Sequence, residues 1–178
     1  GGMTSEEIIE KIKADQKDNI NSSGVNLGDA VIFIAPEKIH DVMEYLKDDP
    51  ELNFDYLSNI TGADYLNEER EPRFEVIYEL HSMDKNHSIR IRVGLEEEAT
   101  TIATVSDLWK GALYPERELF DMFGFNVLGH PNLSRLIMPD EWEGNPLRKD
   151  YPLITEEVTF SHNREFKQDL VKSKPPTR

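Results

Sequence analysis

Glu116, Glu118 and Asp121 crowd one short stretch of the chain, and His130 follows soon after. Carboxylates beside an imidazole invite two chemical readings, a metal site and an acid–base pair. A di-iron carboxylate site needs inward Glu-x-x-His pairs repeated on several helices, and the chain offers no such set. Acids in the first turn of a helix ordinarily serve its dipole and its caps, which is the favoured reading here. His130 titrates in the range suited to proton exchange, but a histidine before Pro131 in a glycine-containing turn is better read as hydrogen-bonded to backbone. Arg117, set between two acids, can form bidentate pairs that brace its helix against a neighbour. Further on, Arg135, Arg148 and Lys149 sit among Leu133, Trp142, Leu147 and Tyr151, the mixture of arginine, aromatic and aliphatic side chains that builds interface hot spots. No G-x-G-x-x-G, P-loop or G-x-S-x-G pattern occurs, so nucleotide cradles and hydrolase chemistry have no support.

Composition narrows the classes further. Cysteine is absent, which removes disulfides, thiolate nucleophiles and the usual ligation of iron–sulfur clusters. Electrons, if they concern this protein, must run through another chain. Against 20 basic residues stand 35 acidic ones, for a net charge of −15, so nucleic acid is repelled and basic partners are favoured. The longest apolar run, Ala30 to Ala35, is strand-sized and far short of the roughly 18 residues of a membrane span. Residues 5–18 are charged and amphipathic, unlike a signal peptide. Gly1-Gly2 ahead of Met3 reads as an expression scar.

The elements that must position these residues follow from capping and periodicity. Thr4-Ser5-Glu6-Glu7 forms a capping box, and Ile8, Ile9 and Ile12 stripe a helix reaching about Lys17. Asn19 to Gly24 reads as a turn. A strand at Ala30–Ala35 leads through Pro36 into a helix with Ile39, Val42, Met43 and Leu46 on one face, stopped at Asp49-Pro50. Phe54, Tyr56 and Ile60 alternate as a second strand, with Ser58 on their face. Phe74, Val76, Tyr78 and Leu80, then Ile89, Ile91 and Val93, alternate on two strands joined by a turn at Met83–Asn86, while Ile77 departs from the pattern. The arginines and acids of these strands predict cross-strand pairs on a solvated face. Pro115 to Gly124 reads as a short helix.

This order predicts an α+β fold, a two-layer sandwich of a mostly antiparallel sheet with helices on one face. After Gly124 comes a long stretch without periodicity, punctuated by Gly and Pro yet rich in Leu128, Leu136, Ile137, Met138, Trp142, Tyr151 and Leu153. It is too apolar for a solvated tail. The expected division is a core domain at 3–124 and an extended C-terminal docking arm with a basic tail at 125–178.

The segment Glu116-Arg117-Glu118-Leu119-Phe120-Asp121-Met122-Phe123-Gly124 resembles the signature of a family of NADH–quinone oxidoreductase subunits, the thirty-kilodalton subunit of respiratory complex I. Gly129-His130-Pro131-Asn132-Leu133-Ser134-Arg135-Leu136 resembles the family's G-H-P-[DN]-L-R-R-[IL], with Ser134 where arginine is usual. Glu143-Gly144-Asn145-Pro146-Leu147-Arg148-Lys149-Asp150-Tyr151-Pro152 resembles its E-G-H-P-[LF]-R-K-D-[FY]-P, with Asn145 where histidine is usual. Three blocks in order make a specific signal.

The resemblance implies a scaffold subunit of the hydrophilic arm, holding no cofactor and docked chiefly on the large subunit that helps form the quinone pocket. NADH, FMN, iron–sulfur clusters and quinone would belong to the assembled, proton-translocating complex, attached peripherally to the cytoplasmic face of the plasma membrane. Glu116, Arg117, Glu118, Asp121, Gly124, His130, Pro131, Leu133, Arg135, Trp142 and the run Pro146 to Pro152 (Leu147, Arg148, Lys149, Asp150 and Tyr151 between) are then signature and interface residues. Two other readings stand beside this one. The chain could be the equivalent subunit of a membrane-bound hydrogenase or coenzyme-F420-type dehydrogenase, or a self-standing protein: an enzyme using the Glu116–His130 region, or a peptide- or ligand-binding module.

Overall fold

The computed structural model describes residues 1–133 together with the backbone of 161–163 and 170–172. Helix α1 (Ser5–Asp15) begins at the expected capping box: the Glu7 N–H donates to Thr4 Oγ1 at 3.1 Å, and the Thr4 N–H donates to Glu7 Oε1 at 2.9 Å. Two orphan N–H groups are thereby satisfied reciprocally. Ile8, Ile9 and Ile12 form its buried stripe.

Strands β1 (Ser22–Asn26) and β2 (Asp29–Ile34) form a hairpin where the sequence pattern reads only a turn before β2. Leu27 and Gly28 link them with positive φ of 51° and 87°, the left-handed pair that a tight hairpin demands. Pro36 opens a 3-10 turn that runs into α2 (Ile39–Asp48), whose Ile39, Val42, Met43 and Leu46 are wholly buried. After α2 come β3 (Tyr56–Asp64), β4 (Phe74–Ser82) and β5 (His87–Leu95). The sheet order is β1-β2-β5-β4-β3, antiparallel except where β2 lies parallel to β5. Helices α1 and α2 lie over the face bearing Ile32, Ile91, Val76 and Tyr78, and these side chains form one core with them. The α+β sandwich with its helices on one face is the observed architecture.

Two expectations need correction. Strand β3 carries an irregularity between Leu57 and Asn59, which resets its phase. Leu57 is buried and Tyr56 is half exposed, so Phe54, Tyr56 and Ile60 do not share a face. The extra residue of a bulge shifts every side chain before it to the opposite side.

The second correction concerns the arginines. Arg90 pairs with Glu79 at 2.9 Å on a partly exposed patch, as expected. Arg92 and Glu75, however, are 1% and 4% exposed, joined by two bonds of 3.0 and 2.8 Å. The segment after β3 turns back over this face and covers it. Tyr65 donates its hydroxyl hydrogen to Glu75 at 3.0 Å, Arg73 makes two bonds of 2.9 Å to Asp64, and the Pro72 ring fills the space above Gly94. A face read as wet is thus a buried, paired network. Ile77 lies on this non-helical face too, between Thr61 and Arg92, and is 6% exposed.

A small parallel pair, β6 (Thr101–Ala103) with β7 (Asn126–Leu128), flanks helix α3 (Leu113–Phe123). Phe125 and Val127 are buried, so the residues just past Gly124 pack with the sheet domain. Ser161–Asn163 pairs antiparallel with Leu170–Lys172.

Candidate functional site around the signature helix

Helix α3 carries the first signature block, and its ends explain its placement. A 3-10 turn at Lys110–Ala112 leads into it, Pro115 lies in its first turn, and Gly124 ends it in the left-handed conformation at φ 79°. The Gly124 N–H returns to the Phe120 carbonyl at 2.9 Å, closing the helix as a C-terminal glycine does. Leu119 and Phe123 face the sheet above Gly62. A Cβ at Gly62 would come within 2.9 Å of the Phe123 ring and 3.0 Å of Leu119, so glycine there sets how closely helix and strand approach. Phe123 stacks on Phe125 at 5.1 Å, and Phe125 meets Phe74 edge-on at 5.2 Å.

Glu116 is 1% exposed. Its carboxylate reaches out of the helix rather than serving the helix's own first turn: the Val105 N–H donates to Oε2 at 2.8 Å, and the Thr104 hydroxyl donates to Oε1 at 2.6 Å. Burial pushes the Glu116 pKa above its ordinary value, opposed by these two hydrogen bonds and by nearby His130. Glu116 in turn helps burial raise the Tyr78 hydroxyl. His130 Nε2 lies 4.0 Å from Glu116 but donates to the Leu113 carbonyl at 2.8 Å, while Nδ1 accepts the Asn132 N–H at 3.1 Å. Both ring nitrogens are held by backbone groups. The pair clamps the loop at 104–105, the start of α3 and the turn at 129–132 into one unit. Nothing in the sequence pattern marks Thr104 or Val105 as Glu116's partners, because the N–H of a loop residue leaves no compositional signature.

The outer side of α3 is different. Arg117 approaches Asp121 at 3.8 Å within the helix, with both side chains more than a third exposed. Asp121 Oδ1 has no hydrogen-bond partner among the described residues. Glu118 and Met122, with Pro115, Leu119 and Phe123, face Asn59 to Gly62 across a groove of about 160 Å³. Tyr114 is 71% exposed and Leu128 52%. Pro131 is exposed and Leu133 packs partly against the core. Arg135, Trp142, Pro146, Leu147, Arg148, Lys149, Asp150, Tyr151 and Pro152 lie outside the described residues. Among the described residues no group of three or more His, Cys, Asp or Glu side chains could hold a metal ion, and no helix is long and apolar enough to cross a membrane.

A small α+β domain that spends one side of its signature helix on its own core, and turns charged and apolar side chains outward on the other, has the make-up of a subunit within an assembly. The family model for the respiratory-chain NADH dehydrogenase 30 Kd subunit matches residues 32–157. An NADH-quinone oxidoreductase subunit from Roseiflexus sp. (strain RS-1) is 47% identical over 158 residues, covering 89% of this chain and 90% of that protein. The corresponding oxidoreductase subunit of Herpetosiphon aurantiacus is 38% identical over 143 residues, covering 80% and 82%. A trypsin-resistant fragment of Nqo5 superposes with a TM-score of 0.64 at 33% identity, covering 74% of this chain and all of the fragment. A chain of the archaeal membrane-bound sulfane sulfur reductase reaches a TM-score of 0.66 at 22% identity over 84% and 86% of the two chains, a likeness of fold. The chain belongs to the 30 kDa subunit family of respiratory-chain NADH dehydrogenases, and is a subunit of that NADH-quinone oxidoreductase complex.

Proposed function

We propose that this chain is a cofactor-free scaffold of the hydrophilic arm of a proton-translocating NADH-quinone oxidoreductase, docked on the large subunit that forms the quinone pocket. The observation that carries this reading is the division of α3. Glu116, Leu119 and Phe123 hold the domain together, while Arg117, Glu118 and Asp121 of the same signature block are left outward. The docking arm expected at 125–178 begins with packed residues, Phe125 and Val127 among them, and its arginines, set among aromatic and aliphatic side chains, are the proposed contacts. NADH, FMN, iron–sulfur clusters and quinone belong to partner subunits, and the assembly sits peripherally on the cytoplasmic face of the plasma membrane.

The absence of cysteine from the whole sequence supports the cofactor-free reading, since cluster ligation ordinarily needs thiolates. The purified chain is expected to be colourless and inert toward NADH with any quinone. Flavin or iron bound stoichiometrically after clean purification overturns that part. The docking itself is tested by pull-down of the tagged chain from native membranes. Recovery of the quinone-site subunit supports it, and a chain that comes down alone sinks it.

A further inference from the structure

The groove beside α3 has a second wall, and that wall is the free edge of the sheet. Strand β3 is terminal in the order β1-β2-β5-β4-β3, and among the described residues no strand pairs with its outer side. The Ile60 N–H donates to the side chain of its own neighbour, Asn59 Oδ1, at 2.9 Å, rather than to β4. In an antiparallel ladder, residues alternate between bonding inward and pointing outward. Ile60 and Gly62 therefore direct their N–H and C=O groups away from the sheet, and Asn59 serves one of them as a stand-in.

Natural sheets blunt exposed edges with lysine, proline or bulges. The sequence of β3, Tyr-Leu-Ser-Asn-Ile-Thr-Gly-Ala-Asp, has no lysine or proline, and its bulge lies before Asn59, outside the open stretch. This edge is kept fit for pairing.

The side chains around it define what would pair. An added strand alternates its side chains between the two sheet faces. Those turned toward the helices would enter the groove between Asn59–Gly62 and Leu119, Met122 and Phe123, with Glu118 lining it. An apolar floor with a carboxylate alongside calls for aliphatic and basic side chains on that one face, at every second residue of the strand, and the chain's net charge of −15 favours a basic occupant as well.

We propose that β3 is extended in the assembled enzyme by a strand of a neighbouring protein of the complex, a segment whose groove-facing positions, every second residue, carry aliphatic side chains and a lysine or arginine, the basic side chain meeting Glu118. The inference rests on the docking reading above and names its mode: strand addition, in which backbone bonds supply affinity and the groove supplies selectivity.

Hydrogen exchange resolved to single amides, on the free chain and on the intact complex, reads this directly. Strand addition predicts that the Ile60 and Gly62 amides, which have no bond to a neighbouring strand in the isolated chain, slow at least a hundredfold on assembly. Exchange at those two amides that stays fast in a complex containing the chain overturns strand addition while leaving docking intact. A chain that never enters the complex overturns the docking reading instead. Glu118→Lys gives a second readout. Unfolding of the isolated variant should match the native chain, with incorporation reduced about tenfold, and Glu118→Gln should fall between the two. Full incorporation of Glu118→Lys counts against the basic strand.

Discussion

The two sides of α3 obey different rules although they share one short signature. The inner side is saturated: each oxygen of Glu116 accepts a bond from the loop at 104–105, Leu119 and Phe123 fill the space that Gly62 leaves, and His130 is held at both nitrogens. The outer side is left incomplete, with a loose Arg117–Asp121 pair and an open groove. A helix needs only one side to be held in a fold. Under the proposed docking, the signature residues on the other side answer to a partner subunit.

The sharpest way to break this comparison is Phe123→Ala. Truncating a buried phenylalanine costs about 3–5 kcal/mol, so unfolding in urea should shift by that amount and assembly should fail with it. A variant that keeps its stability but loses assembly would move Phe123 to the outer class. Next comes Arg148→Glu in the proposed docking arm, where Arg148 stands beside Leu147 and Tyr151 and is expected to become one member of a charge pair buried on docking. Losing such a member costs about 2–5 kcal/mol of association. Native gels should show little complex while the isolated domain melts as before, and normal complex yield would remove Arg148 from the interface.

Glu116→Gln sharpens the inner side through pH. Burial raises the Glu116 pKa, so the folded protein holds this proton more tightly than the unfolded chain does. The stability this group contributes is fully present below its ordinary value of 4.5 and is lost as pH rises through the folded value. Relative to Glu116→Gln, the native chain should therefore lose stability from about pH 4.5 upward, as read from urea midpoints at stepped pH. A difference that grows in the opposite direction contradicts the burial argument. The smallest effect is expected for Arg117→Ala. An exposed i,i+4 pair contributes about 0.3–0.5 kcal/mol, so thermal unfolding should barely move. A loss several times larger would show that Arg117 braces the fold after all.

How much of this was legible depended on whether the signal was local. The capping box at Thr4, the stripe of α2 and the alternation of β4 and β5 are written in neighbouring residues, and each element stands where its pattern places it. Strand β1 was not legible because Ser22-Ser23-Gly24 has no apolar alternation, and its pairing comes from β2. The phase of β3 was lost at its bulge. The burial of Arg92 depended on a segment many residues away folding over it, which no period of two can announce. At the site, the signature residues were visible as a string, but their division into inner and outer sides required Gly62, Thr104 and Val105, which the string does not contain.

The one parallel seam of the five-stranded sheet also orders events while the chain is being made. Strand β2 pairs with β5, from Ala30 beside Ile89 to Ile34 beside Val93, although the residues between them form α2, β3 and β4. When α1, β1 and β2 leave the ribosome, the inner edge of β2 has nothing to lie against until Leu95 has emerged. Pairing across such a distance is slow, and an unpaired apolar edge exposed meanwhile attracts other chains. The first 34 residues of the protein must therefore wait, and this interval is where a nascent-chain chaperone would find Val31 and Ile32 within reach.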